Sequence, residues 1–334
     1  MLDFDVVIVG GGVAGLSAAL VLTRARRRVV VIDSGEPRNA NAAHLHGFLS
    51  RDGADPAELL AEGRREVAGY GGEFIAAEAL GIEHGVKAGF VVRLADGRAL
   101  TTRGVIAATG LRDGLPEVPG VHERWGRDVA HCPYCHGYEV RDGAIGVLGG
   151  DNRPFTMHQA VLLRQWSDDI VFFPHRMDLT GEERERLTAY GVRVVDGEVV
   201  RLVTTDDRLS GVELADGRLV ARSALFVGPR FIPQDGLLKA LGCELNDNGW
   251  VAIDPSGKTS VPGVWAAGNV VDSPAQLVNA ASAGSTAAIA LNHFFLAEDV
   301  QSAITEHRAA QEPFSAAMER RVCEAVIGDR RHGI

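Results

Sequence analysis

DFDVVIVGGGVAGLSAALVLTRARRRVVVID, Asp3 to Asp33, opens on a β-branched apolar run, crosses three consecutive glycines, continues as a small-residue segment, and closes on a second β-branched run ending in an acid. The pattern predicts strand, turn, helix and strand, which is a βαβ unit. Within it Gly10, Gly12 and Gly15 have the G-x-G-x-x-G spacing of a dinucleotide turn. The first glycine permits the tight turn, the second lets a pyrophosphate approach the backbone, and the third lets the helix press on the strand. Asp33 stands where a carboxylate accepts hydrogen bonds from a ribose. Glycine spacing alone is a weak signal; the order of elements around it makes the motif specific.

A second unit of the same shape begins at AIGVLGGDNRPFTMHQAVLLRQWSDDIVFFPHR, Ala144 to Arg176, so the fold is duplicated within the chain. Its motif is damaged. Gly149 and Gly150 match Gly10 and Gly11, but Asp151 takes the place of the second motif glycine, Pro154 falls near the third, and Pro174 replaces the terminal acid. A carboxylate at a helix N-terminus competes with phosphate for the same N–H groups and repels its charge. The second turn is therefore expected to bind a dinucleotide poorly, with His175 and Arg176 as the cations that would hold a 2′-phosphate and leave weak NADPH binding open.

The chain has 334 residues and 46% hydrophobic content, enough for two folded domains. A net charge of −10 argues against a nucleic-acid groove or an anionic membrane surface, since both need clustered cations. The basic run RARRR, Arg24 to Arg28, reads as the solvated end of the first helix. The opening MLDFDVVIVGGG lacks the segments of a secretory leader, and no apolar run has the ~20 residues of a membrane span, so a cytoplasmic protein is expected.

In that compartment four cysteines do not make a disulfide framework. Two of them lie in AHCPYCHGYE, Ala130 to Glu139, where Cys132 and Cys135 are flanked by His131 and His136. Such a pair is a metal knuckle, a staple or a redox couple. A structural zinc site wants four ligands, usually from two knuckles, and no second Cys-x-x-Cys exists, so no metal is expected. A redox pair works through a thiolate, and thiol oxidation releases protons that imidazole can accept near neutral pH. His136 is the leading base, with Glu139 its partner if the segment is helical and His131 behind it. Cys243 and Cys323 stand alone and read as small buried apolar side chains.

Elsewhere, GFVVRLADGRAL and LSGVELADGRLVARSALFVG each place an Asp-Gly between apolar runs, a hairpin signal. TSVPGVWAAGNVVDSPAQLVNAASAGSTAAIALNHFF predicts a buried strand, a Gly-Asn turn and a helix whose small residues allow close approach of a ligand or another helix. From about Ala297 the spacing of Ala317, Met318, Val322, Ala325 and Val326 predicts a C-terminal helical appendage broken by Pro313.

The set VVIVGGGVAGLSAAL, AATG (Ala107 to Gly110), CPYCHG and GVWAAGN (Gly263 to Asn269), in this order, resembles the low-molecular-weight thioredoxin reductases. The resemblance implies an α/β fold of two dinucleotide-binding, Rossmann-like domains of the FAD/NAD(P)-disulfide reductase type, the second inserted in the first. It places an FAD domain at residues 1–113 and 247–334, with the helical appendage, and an NAD(P)-type domain carrying the cysteine pair at 114–246. It also implies a homodimer.

FAD contacts would come from Gly10, Gly12, Val13, Ala14, Gly15, Asp33, Ser34, Arg38 and Asn39 in the amino-terminal part. His46, Thr109 and Gly110, and then Gly268, Asn269, Gln276 and Leu277, would complete them. By the same resemblance Cys135 meets the flavin and Cys132 takes the substrate sulfur.

Three departures stand out. His136 replaces the usual acid after the second cysteine, Asn269 replaces the aspartate of the second flavin motif and would offer the ribitol an amide, and the NADPH turn is degraded. With CPYCHGYE and HLHGFLSRDG (His44 to Gly53), these look like the thioredoxin reductase-like dithiol oxidases that close the disulfides of gliotoxin, holomycin and romidepsin. Electrons there run from a small-molecule dithiol to the cysteine pair, to FAD and to dioxygen. His44 and His46 would line the substrate mouth by resemblance, with Tyr134, Trp125 and Phe48 as candidate pocket walls. The competing readings are an NADPH-dependent thioredoxin reductase and a non-enzymatic flavin-binding redox sensor.

Overall fold

The computed structural model describes residues 2–85, 89–311 and 316–327. The chain divides into two compact units, Met1–Ala290 and Leu291–Ile334.

The opening βαβ unit forms as its periodicity predicts: β1 (Phe4–Val9), α1 (Val13–Arg24) and β2 (Val29–Asp33). Val6, Val7, Ile8, Val30 and Val31 are fully buried, as expected for parallel strands covered on both faces, and each buried side chain stabilises the fold by ~1.5–3 kcal/mol. α1 stops where Arg26 takes a left-handed backbone, φ 63°. Of the basic run beyond it, Arg28 pairs with Asp5 at 2.8 Å and Arg24 with the Tyr70 hydroxyl, a solvated helix end as expected.

The chain continues through α2 (Pro56–Gly69), β3 (Glu73–Ala76), β4 (Ala79–His84), β5 (Phe90–Leu94) and β6 (Ala99–Ala107). The sheet order is β3-β2-β1-β6-β5-β4, with the β5–β6 hairpin at the first Asp-Gly signal. β7 (Leu111–Gly114) leaves this sheet, and α3 (Val121–Arg124), β8 (Val129–Ala130) and α4 (Pro133–His136) follow. The second βαβ unit is β9 (Ile145–Leu148), α5 (Arg153–Leu162) and β10 (Ile170–Phe173), after which come α6 (Gly181–Ala189) and β11 (Arg193–Val194).

An antiparallel meander, β12 (Val199–Thr205), β13 (Arg208–Leu214) and β14 (Leu219–Ala221), carries the second Asp-Gly hairpin. β15 (Ala224–Val227) completes a parallel sheet in the order β11-β10-β9-β15-β8. β16 (Arg230–Pro233) pairs with β7, so the strand leaving the first sheet and the strand returning toward it lie side by side. After α7 (Gly236–Ala240), β17 (Val264–Ala266) pairs parallel with β6, placing residues far apart in sequence in one mixed sheet.

α8 (Leu277–Gln311) and α9 (Ala316–Ile327) end the described chain. A Cβ on Gly284 would lie 2.0 Å from the Ala14 carbonyl oxygen, so the small-residue start of α8 serves close approach to α1. Pro313 lies outside the described residues, and nothing is assigned to the side chains of Ala317 and Val326. Met318 and Val322 are exposed on α9, Cys243 is buried, and Cys323, expected buried, is exposed. Among the described residues no helix is long and apolar enough to cross a membrane.

Candidate active site around the cysteine pair

The carboxyl ends of β1, β2 and β6 open onto one cavity of about 1640 Å³, larger than the ~300–1,000 Å³ of ordinary small-ligand pockets. Its glycines differ in what demands them. A Cβ on Gly10 would sit 2.2 Å from the Ala108 oxygen and one on Gly15 1.9 Å from the Gly10 oxygen, so both serve the protein's own packing. Gly12 has nothing within 4 Å of that position; its missing side chain leaves open space at the start of α1, where a pyrophosphate would approach. The turn therefore fits a dinucleotide. Asp33 already has partners, accepting from the Gly11 amide at 3.2 Å and pairing with Arg64 of α2.

Cys132 and Cys135 line the same cavity, joined by a disulfide with their Cα atoms 5.2 Å apart. β8 delivers them and Pro133 starts the single turn of α4, in which the Cys135 and His136 amides each donate to the Cys132 carbonyl at 3.1 Å. The His136 Nδ1 is buried without a hydrogen-bond partner. Burial pushes the His136 pKa below the usual histidine value, opposed by the nearby Glu139 carboxylate, so the neutral form of the ring is favoured. A neutral imidazole on the residue after the second disulfide cysteine, in the wall of the same cavity, is of the type that accepts a thiol proton.

His131 is held differently. It stacks on Trp125 with ring centres 5.6 Å apart, meets the edge of Phe231, and has Nε2 3.3 Å from the Arg38 guanidinium. Burial first, then the Arg38 charge, lowers its pKa to about 4. Gln159 of α5 fixes the segment by donating to the His131 carbonyl at 2.6 Å and the Val227 carbonyl at 3.2 Å.

The depressed His131 value has a consequence for stability. Between about pH 4 and the unfolded value near 6.5, the unfolded chain binds a proton that the folded chain refuses. His131 should therefore lower stability as pH falls through this window, by as much as ~3 kcal/mol at its acid end. Urea titrations at several pH values should give a shallower pH slope for His131→Gln than for the parent. Identical slopes would contradict the assignment.

The remaining expected residues divide by whether they line the cavity. Val13, Ala14, Ser34, Arg38, Asn39, His46, Thr109, Gly110, Gly268, Asn269, Gln276 and Leu277 line the cavity, whereas Gly15 and Glu139 do not. Arg38 makes a bidentate pair with Asp113 at 2.7 and 2.9 Å. Asn269, expected to offer its amide to a ribitol, instead donates to the carbonyls of Asp272, Ser273 and Ala275 and accepts from Arg38. An aspartate could not make those donations, which gives the replacement a structural reason. His46, expected among the cofactor contacts, has Nδ1 3.4 Å from Asp52 and Nε2 3.5 Å from Glu139. His44, Trp125 and Tyr134 line the cavity and Phe48 does not. Asp52, Arg64, Asp113 and Gln159 carried no sequence signal, because each is defined by a partner distant in the chain or by a loop closure.

The second turn spends one of its amides on its own protein. The Gly150 amide donates to the Met177 sulfur, and a Cβ on Gly149 would lie 2.3 Å from the Pro174 oxygen. Of the cations expected to hold a 2′-phosphate, His175 accepts the Val199 amide on Nδ1 at 3.0 Å, and burial lowers its pKa. Arg176 is paired with Glu198 at 2.8 Å. Neither offers an uncommitted charge.

A family model described as pyridine nucleotide-disulphide oxidoreductase matches residues 4–284. A thioredoxin reductase named sirT, from Leptosphaeria maculans, is 32% identical over 316 residues, covering 89% of this chain and 96% of that protein. Among solved structures, HlmI is 58% identical with a TM-score of 0.89, covering 92% of this chain and 97% of that one. An oxidoreductase from Agrobacterium tumefaciens is 36% identical with a TM-score of 0.82, covering 88% and 99%.

Proposed function

Because the chain belongs to the pyridine nucleotide-disulphide oxidoreductase family, we propose that it is a dithiol oxidase that closes an intramolecular disulfide in a small natural-product dithiol. It is a flavin-dependent oxidoreductase and FAD is its cofactor; Gly10 to Ala14, Asp33 and Arg38 would hold it in the large cavity. The observation that carries the reading is the contrast between two turns: one open at Gly12, in the cavity that the cysteine pair also lines, the other with Asp151 in place of that glycine and its Gly150 amide turned to the Met177 sulfur.

In the proposed reaction His136 takes the proton of one substrate thiol, and the thiolate attacks Cys132. The Cys132–Cys135 bond breaks, Cys135 departs as thiolate, and a mixed disulfide forms on Cys132. The second substrate thiol, deprotonated in turn, attacks its partner sulfur, so the substrate leaves as a cyclic disulfide and two electrons stay on the cysteine pair. When bound, FAD would supply the two-electron acceptor that restores the cysteine disulfide, and dioxygen, reduced to hydrogen peroxide, would be the final oxidant. Trp125, Tyr134 and His44 form walls that a small rigid dithiol would meet. The proposal includes a homodimer in the cytoplasm, an FAD domain at 1–113 and 247–334, and an inserted domain at 114–246.

The competing activity, NADPH-dependent thioredoxin reduction, is favoured by the name of the fungal relative. Anaerobic mixing separates the two. Dithiothreitol should bleach the flavin absorbance within seconds to minutes, while millimolar NADPH leaves it almost unchanged. Prompt bleaching by NADPH, with turnover on thioredoxin, would transfer the assignment to the reductase.

A further inference from the structure

His46 belongs to a loop that is fixed in its own right. The loop closes through Leu45 N to Ala54 O at 2.9 Å and Gly53 N to Leu45 O at 2.8 Å, and Leu45 is buried. Inside it the Gly47 amide donates to Asp52 Oδ1 at 2.9 Å, which sets the carboxylate beside His46 Nδ1. The other ring nitrogen faces Glu139, which follows the cysteine turn and acts electrostatically on His136. In the order of the path, the His136 Nδ1 is buried and the side chains of Glu139, His46 and Asp52 are 43%, 22% and 68% exposed, so the path ends at its most accessible member. An imidazole between two carboxylates can take a proton on one nitrogen and release one from the other.

We propose that His46, with Glu139 and Asp52, forms a proton relay from His136 at the cysteine pair to solvent, so that His46 positions and discharges the base. The inference rests on the dithiol-oxidising reading above. Opening the disulfide converts a dithiol and a disulfide into a substrate disulfide and two cysteine sulfurs. The two protons shed by the substrate pass through His136 to Glu139 and His46 and leave at Asp52, while the electron pair stays on Cys132 and Cys135. The charged and titratable groups facing His46 are Asp52 from its own loop and Glu139 and His136 from the segment after Cys132.

The test is the reductive half-reaction in holoenzyme, which needs neither the natural substrate nor an acceptor. Dithiothreitol is mixed anaerobically with wild type, His46→Gln and Asp52→Asn, and pair opening is followed by flavin bleaching and by mass after thiol trapping. The limiting rate in His46→Gln should fall about tenfold, less than the 10²–10⁴ of a directly acting base because water partly bypasses a relay. Half-saturation should move less than about twofold, Asp52→Asn should fall by a smaller factor, and added imidazole should restore His46→Gln toward wild type. Unchanged flavin absorbance and melting temperature show that the variant is intact. A wild-type rate in His46→Gln, or a deficit that imidazole and buffer concentration leave untouched, overturns the relay while the oxidase reading stands. A wild-type pair that dithiothreitol never opens overturns both.

Discussion

Replacing Cys135 with serine should reduce dithiol-dependent oxygen uptake by at least ~10³-fold, and replacing Cys132 should do the same, because each removes the bond that substrate must open. The two variants should nevertheless differ in a second measurement. In Cys135→Ser, Cys132 remains a thiol that captures an aromatic disulfide reagent and keeps the adduct, since no neighbouring sulfur resolves it. In Cys132→Ser the remaining thiol is Cys135, which the proposal turns toward the flavin, and its capture should be slower. Mass spectrometry after short exposure reads the difference, with the double serine variant setting the background from exposed Cys323. Residual turnover within tenfold of wild type in either variant would mean that substrate sulfur bypasses the pair. Equal capture by both cysteines would remove the division of roles while leaving the redox pair itself in place.

What the sequence made legible was whatever is contiguous. The first βαβ unit is written in a single run of residues, as strand periodicity, glycine turn and terminal acid, and it forms as read. The Asp-Gly hairpins and the cysteine turn are equally local, since Pro133 and the Cys-x-x-Cys spacing already bring the sulfurs into bonding range. The side-chain partners that shape the cavity are a different matter. Arg38 finds Asp113, Asp33 finds Arg64, and His46 finds Glu139 only after β6, α2 and the cysteine segment have been brought together by the sheets.

Residue type misleads at such places. Asn269 suggested an amide aimed at a ligand, but four protein groups use it, because three carbonyls converge on its position. His175 and Arg176 suggested a phosphate clamp, yet an amide and a carboxylate nearby had already claimed them. His46 suggested a cofactor contact, and it lines the cavity, but its carboxylate neighbours Asp52 and Glu139 could not be read from the chain. In each instance the donor or acceptor type was readable from the chain, and the partner was not.

Valine at Gly12 should separate the two roles that glycines play in the amino-terminal turn. Gly12 has φ −74° and ψ −177°, extended backbone that any residue adopts, and no atom lies within 4 Å of the position its Cβ would take. The folded protein should tolerate the change, with the apoprotein melting within roughly 2 °C of wild type. The added methyl groups would fill the space left for the pyrophosphate, so FAD affinity should fall at least ~100-fold, about 2.7 kcal/mol, and the protein should purify nearly colourless. Gly15→Val gives the opposite pairing of outcomes. A Cβ there would lie 1.9 Å from the Gly10 oxygen, so α1 could not reach β1 and the fold itself should fail, with or without flavin. Equilibrium dialysis of FAD and calorimetry of the apoproteins measure the two effects independently. If Gly12→Val stayed yellow and bound FAD like wild type, the pyrophosphate would have to lie elsewhere in the cavity. The placement of the flavin beside Cys135 would then lose its anchor, because that placement depends on a dinucleotide entering at Gly12 and reaching the cysteine pair across the same cavity.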